Sequence, residues 1–153
     1  MLKYFALLHC LFYIGFSQLT AQNHLSWEFS YDKLNASIVI KGTIDKGWHL
    51  YSQKTPANAG PIPVSISIAK QKGTKLIGKF EEKLEPHEIF DVNFDSQVYL
   101  FENTYLAEQK IKIKIKKTKT QHLKQLNGSV LYMVCDDTRC MPPIEVPFTI
   151  QLK

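Results

Sequence analysis

Arginine is nearly missing from this sequence. The 19 basic residues are 18 lysines and the single Arg139, set against 14 acidic residues. Nucleic-acid recognition draws heavily on the planar guanidinium, so a formal charge of +5 carried by lysine argues against a DNA or RNA partner. Other features are absent as well. There is no sustained apolar stripe of helical period, no glycine-rich phosphate loop, no Ser or Cys nucleophile elbow and no paired-carboxylate motif. The histidines His24, His49, His87 and His122 are scattered, and Glu81, Glu82 and Glu85 read as a solvated loop. These gaps remove helical-bundle, nucleotide-dependent and hydrolytic readings. Cysteine is scarce too, with three residues in 153.

The first of the three, Cys10, falls in a segment that reads as a secretory signal. Lys3 supplies the positive start, Tyr4–Phe16 the apolar run and Ser17–Gln22 a short polar stretch with a cut expected after Ala21. The run is too short for a spanning helix, which needs about 20 residues. His9 stands where a lipoprotein signal requires a small residue before its cysteine. Removing residues 1–21 from 153 leaves 132 residues, one domain over 22–153, with two cysteines. The expected compartment is an exported, oxidising one where disulfides persist.

Within those 132 residues, apolar and polar positions alternate with period two in many short segments. Trp27, Phe29 and Tyr31 share one face, as do Ile38 and Ile40 within Ala36–Ile44, and Val64, Ile66 and Ile68. Lys110–Lys116 sets Ile111, Ile113 and Ile115 against lysines; the ladder invites a reading as an anion-binding stripe, but the preferred reading is a strand with one solvated, edge-protecting face. Ser129–Val134, Glu145–Leu152, Trp48–Ser52, Lys75–Phe80 and Gln97–Phe101 complete the set. Asp45-Lys46-Gly47, Asn58–Pro61, Lys72-Gly73 and Asn127-Gly128 punctuate it as turns or loops. Eight or nine short strands predict an all-β, immunoglobulin-like sandwich.

Cys135 closes an apolar run and Cys140 precedes Met141-Pro142-Pro143, with Asp136-Asp137-Thr138-Arg139 between them. This pattern predicts two antiparallel segments joined by a polar loop, a cysteine at each rim. Facing residues of a non-hydrogen-bonded pair lie about 4.5 Å apart, within reach of a disulfide. Closing so short a loop stabilises by only about 2 kcal/mol in the chain-entropy account, against nearly 5 for a loop of about 100 residues. Spacing alone leaves three uses open: a redox pair, a structural bridge, or a soft-metal site in which Met133, Met141 and His49 join the cysteines around copper(I). Asp136 and Asp137 disfavour a nearby thiolate, Arg139 partly offsets them, and a disfavoured thiolate makes a reduced pair a ready electron donor. Pro142 and Pro143 remove two backbone donors and stiffen the segment after Cys140.

The stretch Tyr132–Pro143 resembles the active-site segment of the amino-terminal periplasmic domain of the thiol:disulfide interchange protein DsbD. Gly47-Trp48-His49-Leu50-Tyr51-Ser52 resembles that domain's aromatic segment, and Gly60-Pro61-Ile62-Pro63 its Gly-Pro-x-Pro element; Trp27-x-Phe29 is also similar. The resemblance runs over about residues 24–152. It implies an immunoglobulin-like fold in the periplasm, acting as a component of protein-disulfide reduction. It implies that Cys135 and Cys140 are the redox pair, with no cofactor and no metal. Reducing equivalents would pass from a membrane-embedded thiol donor to disulfide isomerases or thioredoxin-like proteins, including those of cytochrome c maturation. Cys140 is the expected attacking sulfur, through Arg139 and the family's pattern.

The family also shields its pair with an aromatic cap loop. Here that implies Glu88–Phe94, with Phe90 the first choice for the cap and Phe94 the second, and places Tyr51 and His49 near the sulfurs. Two departures stand out. Four residues separate the cysteines where better-known members have five. No counterpart of the family's membrane and thioredoxin-like domains follows within the 153 residues, so the expected donor is separately encoded. The rival reading is a non-enzymatic binding or assembly module whose hairpin disulfide is structural.

Overall fold

The computed structural model describes residues 24–113 and 125–152, and among these there is no helix. The expected signal segment 1–21 and the far end of the Lys/Ile ladder, 114–117, lie outside the described residues. Eleven strands follow one another: β1 Leu25–Asp32, β2 Ser37–Ile44, β3 His49–Tyr51, β4 Ser65–Ile68, β5 Thr74–Glu82, β6 His87–Asp91, β7 Ser96–Glu102, β8 Thr104–Ile113, β9 Gln125–Tyr132, β10 Val134–Cys135 and β11 Ile144–Gln151. They form three antiparallel sheets, in the orders β1-β2-β8-β5, β10-β3-β7-β6 and β11-β9-β4.

The alternation read from the sequence places the core. Ile38, Ile40, Tyr105, Ala107 and Ile111 of the first sheet meet Leu50 and Phe101 of the second and Leu126, Val130, Tyr132 and Phe148 of the third. Trp27 stands edge-on to Tyr105 at 5.7 Å and to Tyr132 at 5.4 Å, while Phe29 stacks on Phe148 at 4.2 Å. Aromatic burial of this kind supplies a large share of the apolar area that holds two sheets together.

Strands change sheet at sharp corners. Asn103, at φ 62°, separates β7 from β8 and hands the chain from the second sheet to the first. Asparagine tolerates this left-handed backbone better than most residues. A second corner lies at Met133. The segment Ser129–Val134, expected as one strand, ends there: Tyr132 still pairs with Ile144, whereas Val134 and Cys135 pair with Leu50 and His49.

Three further expectations are corrected. Asn127-Gly128 is not a turn but mid-strand in β9, paired with Thr149 and Phe148 on one side, while Gly128 faces Ile68 on the other. An ideal Cβ at Gly128 would lie 2.4 Å from the Ser67 carbonyl oxygen and 2.5 Å from Phe148 Cζ, so close approach rather than turning requires the glycine. Glu81 and Glu82 belong to β5, and Glu82 is not simply solvated: its carboxylate accepts hydrogen bonds from the Ser52 hydroxyl and the Gln53 amide. Lastly, the segment expected as a cap loop is a hairpin, β6 and β7 joined across Val92–Asp95.

Candidate functional site

Cys135 and Cys140 are joined by a disulfide with 4.0 Å between their Cα atoms. They face each other as an isolated antiparallel bridge. The Asp136 amide donates to the Arg139 carbonyl and the Met141 amide to the Val134 carbonyl, both at 2.9 Å, so the cysteines form the non-hydrogen-bonded pair of a tight hairpin. The two sulfurs differ in setting. Cys135 is fully buried with Tyr51, Ala59, Val98, Leu100 and Met133, whereas Cys140 is half-buried at the edge of that cluster. The corner at Met133 contributes to this: it carries Cys135 into the second sheet as β10, paired with His49 of β3, while Cys140 lies on the returning limb outside that strand.

The loop between them is organised by Asp136. One of its carboxylate oxygens accepts from the Thr138 amide, the Thr138 hydroxyl and the Arg139 amide, each at 2.8 Å. Its other oxygen lies 3.5 Å from Arg139 Nε. Asp136 thus closes the short loop by satisfying its backbone donors. The hydrogen bonds from Thr138, with help from Arg139, draw its carboxyl down to about 2. A carboxylate depressed in this way contributes its full effect above the ordinary range near 4 and loses it as pH falls through 2. The Thr138 and Arg139 amide resonances should therefore titrate with a midpoint near pH 2, and stop doing so in Asp136→Asn. A midpoint at the ordinary carboxylate value would refute this role.

Arg139 is exposed, yet its guanidinium carbon sits 5.7 Å from the centre of the Trp48 ring. On that ring His24 also stacks, at 3.7 Å and 7°, and His24 in turn lies 3.2 Å from an Asp45 carboxylate oxygen. The cationic contact tethers the loop to the turn that precedes β3. Asp137, Pro142 and Pro143 are exposed, and the prolines fill the unpaired stretch between the bridge and β11.

On the buried side, His49 is the register partner of Cys135 on the neighbouring strand. Its Nε2 is 3.1 Å from the Tyr51 hydroxyl, which donates to an Asp91 carboxylate oxygen at 2.7 Å. The tyrosine has one proton and gives it to Asp91, so His49 Nε2 carries the proton it donates to Tyr51. Burial draws His49 below the ordinary imidazole range, opposed by Asp91, Asp137, Glu102 and Asp136. Burial and the bond to Asp91 push the Tyr51 hydroxyl far above its ordinary value, so it stays a neutral donor. Asp91 also accepts from the Asn93 amide at 2.9 Å, so one carboxylate fixes the turn of the β6–β7 hairpin and bonds it to Tyr51 of β3.

Of the two phenylalanines, Phe94 rather than Phe90 packs on the cysteine cluster, standing edge-on to Tyr51 at 6.1 Å. Gly60, at φ +105°, makes room for it: an ideal Cβ there would lie 2.5 Å from the Phe94 ring. Phe90, in contrast, is 56% exposed on β6. The strand register decides this, because β6 is an edge strand whose residues before Asp91 are all exposed. Asp91 and Trp48 are the two contributors that sequence reasoning did not single out. Trp48 lies within a segment that carries the family resemblance and Asp91 within the implied cap segment, but neither residue type marks a role without the tertiary partner.

The comparisons with known proteins agree with one another. The chain is similar to the N-terminal domain of Neisseria meningitidis DsbD in its reduced form, at 12% identity and a TM-score of 0.59, covering 84% of this chain and 85% of that one. It is similar to the structure of a complex between the DsbD N-terminal and PilB N-terminal domains from the same organism, at 11% identity, a TM-score of 0.56 and 87% coverage of each chain. It also resembles the N-terminal periplasmic domain of ScsB from Proteus mirabilis, at 11% identity and a TM-score of 0.53, covering 84% of this chain and 45% of that one. At such identities these likenesses establish the immunoglobulin-like fold. No curated protein sequence matches. The family described as "Thiol:disulfide interchange protein DsbD, N-terminal" matches residues 17–151, and the chain belongs to that family.

Proposed function

We propose that this chain is a periplasmic thiol:disulfide interchange domain that carries reducing equivalents on Cys135 and Cys140. The observation that supports the reading is the asymmetry of the pair: a half-buried sulfur at the rim bonded to a fully buried one, within a chain of the DsbD N-terminal family. In the reduced form the Cys140 thiolate attacks a partner's disulfide. A Cys140–partner bond forms, the partner's own disulfide breaks and one partner thiolate leaves. The Cys135 thiolate then attacks the Cys140 sulfur, re-forms the internal bond and releases the second partner thiolate. Two electrons pass to the partner, and the domain ends oxidised.

The protein supplies positioning. Asp136 and the Arg139–Trp48 contact hold Cys140 outward, while Phe94, Tyr51 and the cap hairpin cover Cys135. The partner that accepts electrons is a thioredoxin-like or disulfide isomerase protein, a class supported by the relative solved with a PilB domain. The donor is a membrane-embedded thiol protein, and residues 1–21 serve as a cleaved export signal. No metal or organic cofactor is needed for the exchange.

Trapping tests the reading. Cys135→Ser should accumulate a mixed disulfide through Cys140 with a thioredoxin-like partner, and Cys140→Ser should not. Failure of both variants to trap, together with a wild-type bond that resists a thioredoxin-like donor, would leave the disulfide as a structural clasp.

A further inference from the structure

The end of the sandwich remote from the cysteines has a composition that exchange chemistry does not use. Lys75 on β5 lies directly opposite Lys112 on β8, and Ile77 lies opposite Lys110. Like charges facing across a ladder are destabilising, so the pairing is not explained by the stability of the sheet. Lys110 in turn pairs with Ser37 at the end of β2, beside the β1–β2 turn. On that turn Leu34 is 97% exposed, and Ile77 is 52% exposed.

The connection from β4 to β5 brings exposed Lys72 to the same end. Among the described residues, 70–79 and 110–113 together hold six lysines and no acidic residue. Asp32, at the start of the β1–β2 turn, accepts from the Leu34 and Asn35 amides at 2.9 and 3.1 Å and from the Asn35 side chain at 2.7 Å, and it is also drawn on by Lys110, whose ammonium donates to the Asn35 carbonyl at 3.3 Å.

The two ends are well separated. His24, Trp48 and Arg139 stack together beside the β1–β2 end marked by Leu25 and Ile44, whereas Lys110 and Leu34 lie at the Ser37 end. An eight-residue strand such as β2 spans about 23 Å at roughly 3.3 Å per residue. The cysteine end carries carboxylates by contrast, with Asp91, Asp136, Asp137 and Glu102 all acting on His49, the register partner of Cys135.

We propose that this lysine-rich end, with Leu34 and Ile77 protruding from it, seats the domain on an anionic phospholipid bilayer, leaving the cysteine pair directed away from the lipid. The side-chain types favour lipid over other polyanions. Lysine offers a point charge on a flexible apolar stem, suited to a fluid array of headgroups, and Leu34 can enter the acyl boundary. A nucleic acid would instead be met by arginine forks, and the single arginine, Arg139, lies at the cysteine end. The proposal does not depend on the exchange reading.

Co-sedimentation of the purified chain with vesicles tests it. Binding is expected to mixed phosphatidylcholine–phosphatidylglycerol vesicles, to be reversed by high salt, and to be absent with phosphatidylcholine alone. Each lysine near the surface contributes about fivefold to partitioning, so Lys75→Gln/Lys110→Gln/Lys112→Gln should weaken it on the order of a hundredfold. Leu34→Ser should weaken binding without altering its salt dependence. Reduction of the disulfide by a small thiol reports that each variant is folded, since the cysteines lie at the other end. Equal binding to neutral vesicles, no binding to anionic ones, indifference to the triple substitution, or preference for soluble polyglutamate or DNA over vesicles would each overturn the proposal.

Discussion

Gly128→Val is expected to unfold this domain or come close to it. Gly128 sits in the middle of β9, the central strand of its sheet, where β11 crosses on one side and β4 on the other. A Cβ there meets a backbone oxygen at 2.4 Å and the Phe148 ring at 2.5 Å. The ring can rotate, but the Ser67 carbonyl can retreat only by opening the β4–β9 ladder. Overpacking of this kind costs about 1–3 kcal/mol where side chains can yield, and more where backbone must move. We expect a loss of about 4 kcal/mol or more, a large fraction of the roughly 5–15 kcal/mol that holds a domain folded. Gly128→Ala should already lose much of it. Adding Phe148→Leu to that variant should recover only the part due to the ring. Denaturant unfolding midpoints decide the matter, and a shift equivalent to less than about 1 kcal/mol for Gly128→Val would show that β4 yields freely.

The second large effect is at Asp91. Asp91→Ala should loosen the β6–β7 hairpin and expose the disulfide. The substitution removes the acceptor of the buried Tyr51 hydroxyl and of the Asn93 amide. It leaves a buried hydroxyl short of a partner, at a cost of about 1–3 kcal/mol, and cuts the side-chain tie from β3 to the end of β6, leaving the β3–β7 ladder to hold the hairpin. Phe94, carried by the turn of that hairpin, then loses its fixed seat over Cys135. Reduction by a small thiol should speed up about tenfold, in proportion to more frequent local opening. Asp91→Asn keeps one acceptor oxygen and should fall between the two. Unchanged or slower reduction of Asp91→Ala, measured beside its unfolding midpoint, would mean that Phe94 and Tyr51 hold the cap without the carboxylate.

Much of this architecture was legible from alternation alone. Ile38 and Ile40, Val64, and Ile111 against Lys110 and Lys112 stand on the faces the period-two pattern assigns, because one buried face per strand leaves no other register. The places where reading failed share a cause. Asn127-Gly128 has turn chemistry, yet Gly128 is required by Phe148 arriving from twenty residues further along. The strand of Ser129–Val134 breaks at Met133 because β3 offers a second partner edge, which local sequence does not announce. At the site, Cys135 and Cys140 were visible by spacing and Phe94 only as a second choice. Phe90 lies exposed on an edge strand, and it is Phe94 that packs against the cysteine cluster. Asp91 was silent because its role is created by Tyr51, 40 residues away.

The corner at Met133 has a mechanical consequence. The limb bearing Cys135 is a two-residue strand attached to β3, while the long β9–β11 ladder stops short of it at Tyr132 and Ile144. A shift of the Cys135 sulfur on parting from Cys140 is therefore passed first to β3, through a ladder of two residue pairs, and only through the shared core to the sheet held around Gly128. The lever that feels the redox state of the pair is the strand carrying His49 and Tyr51.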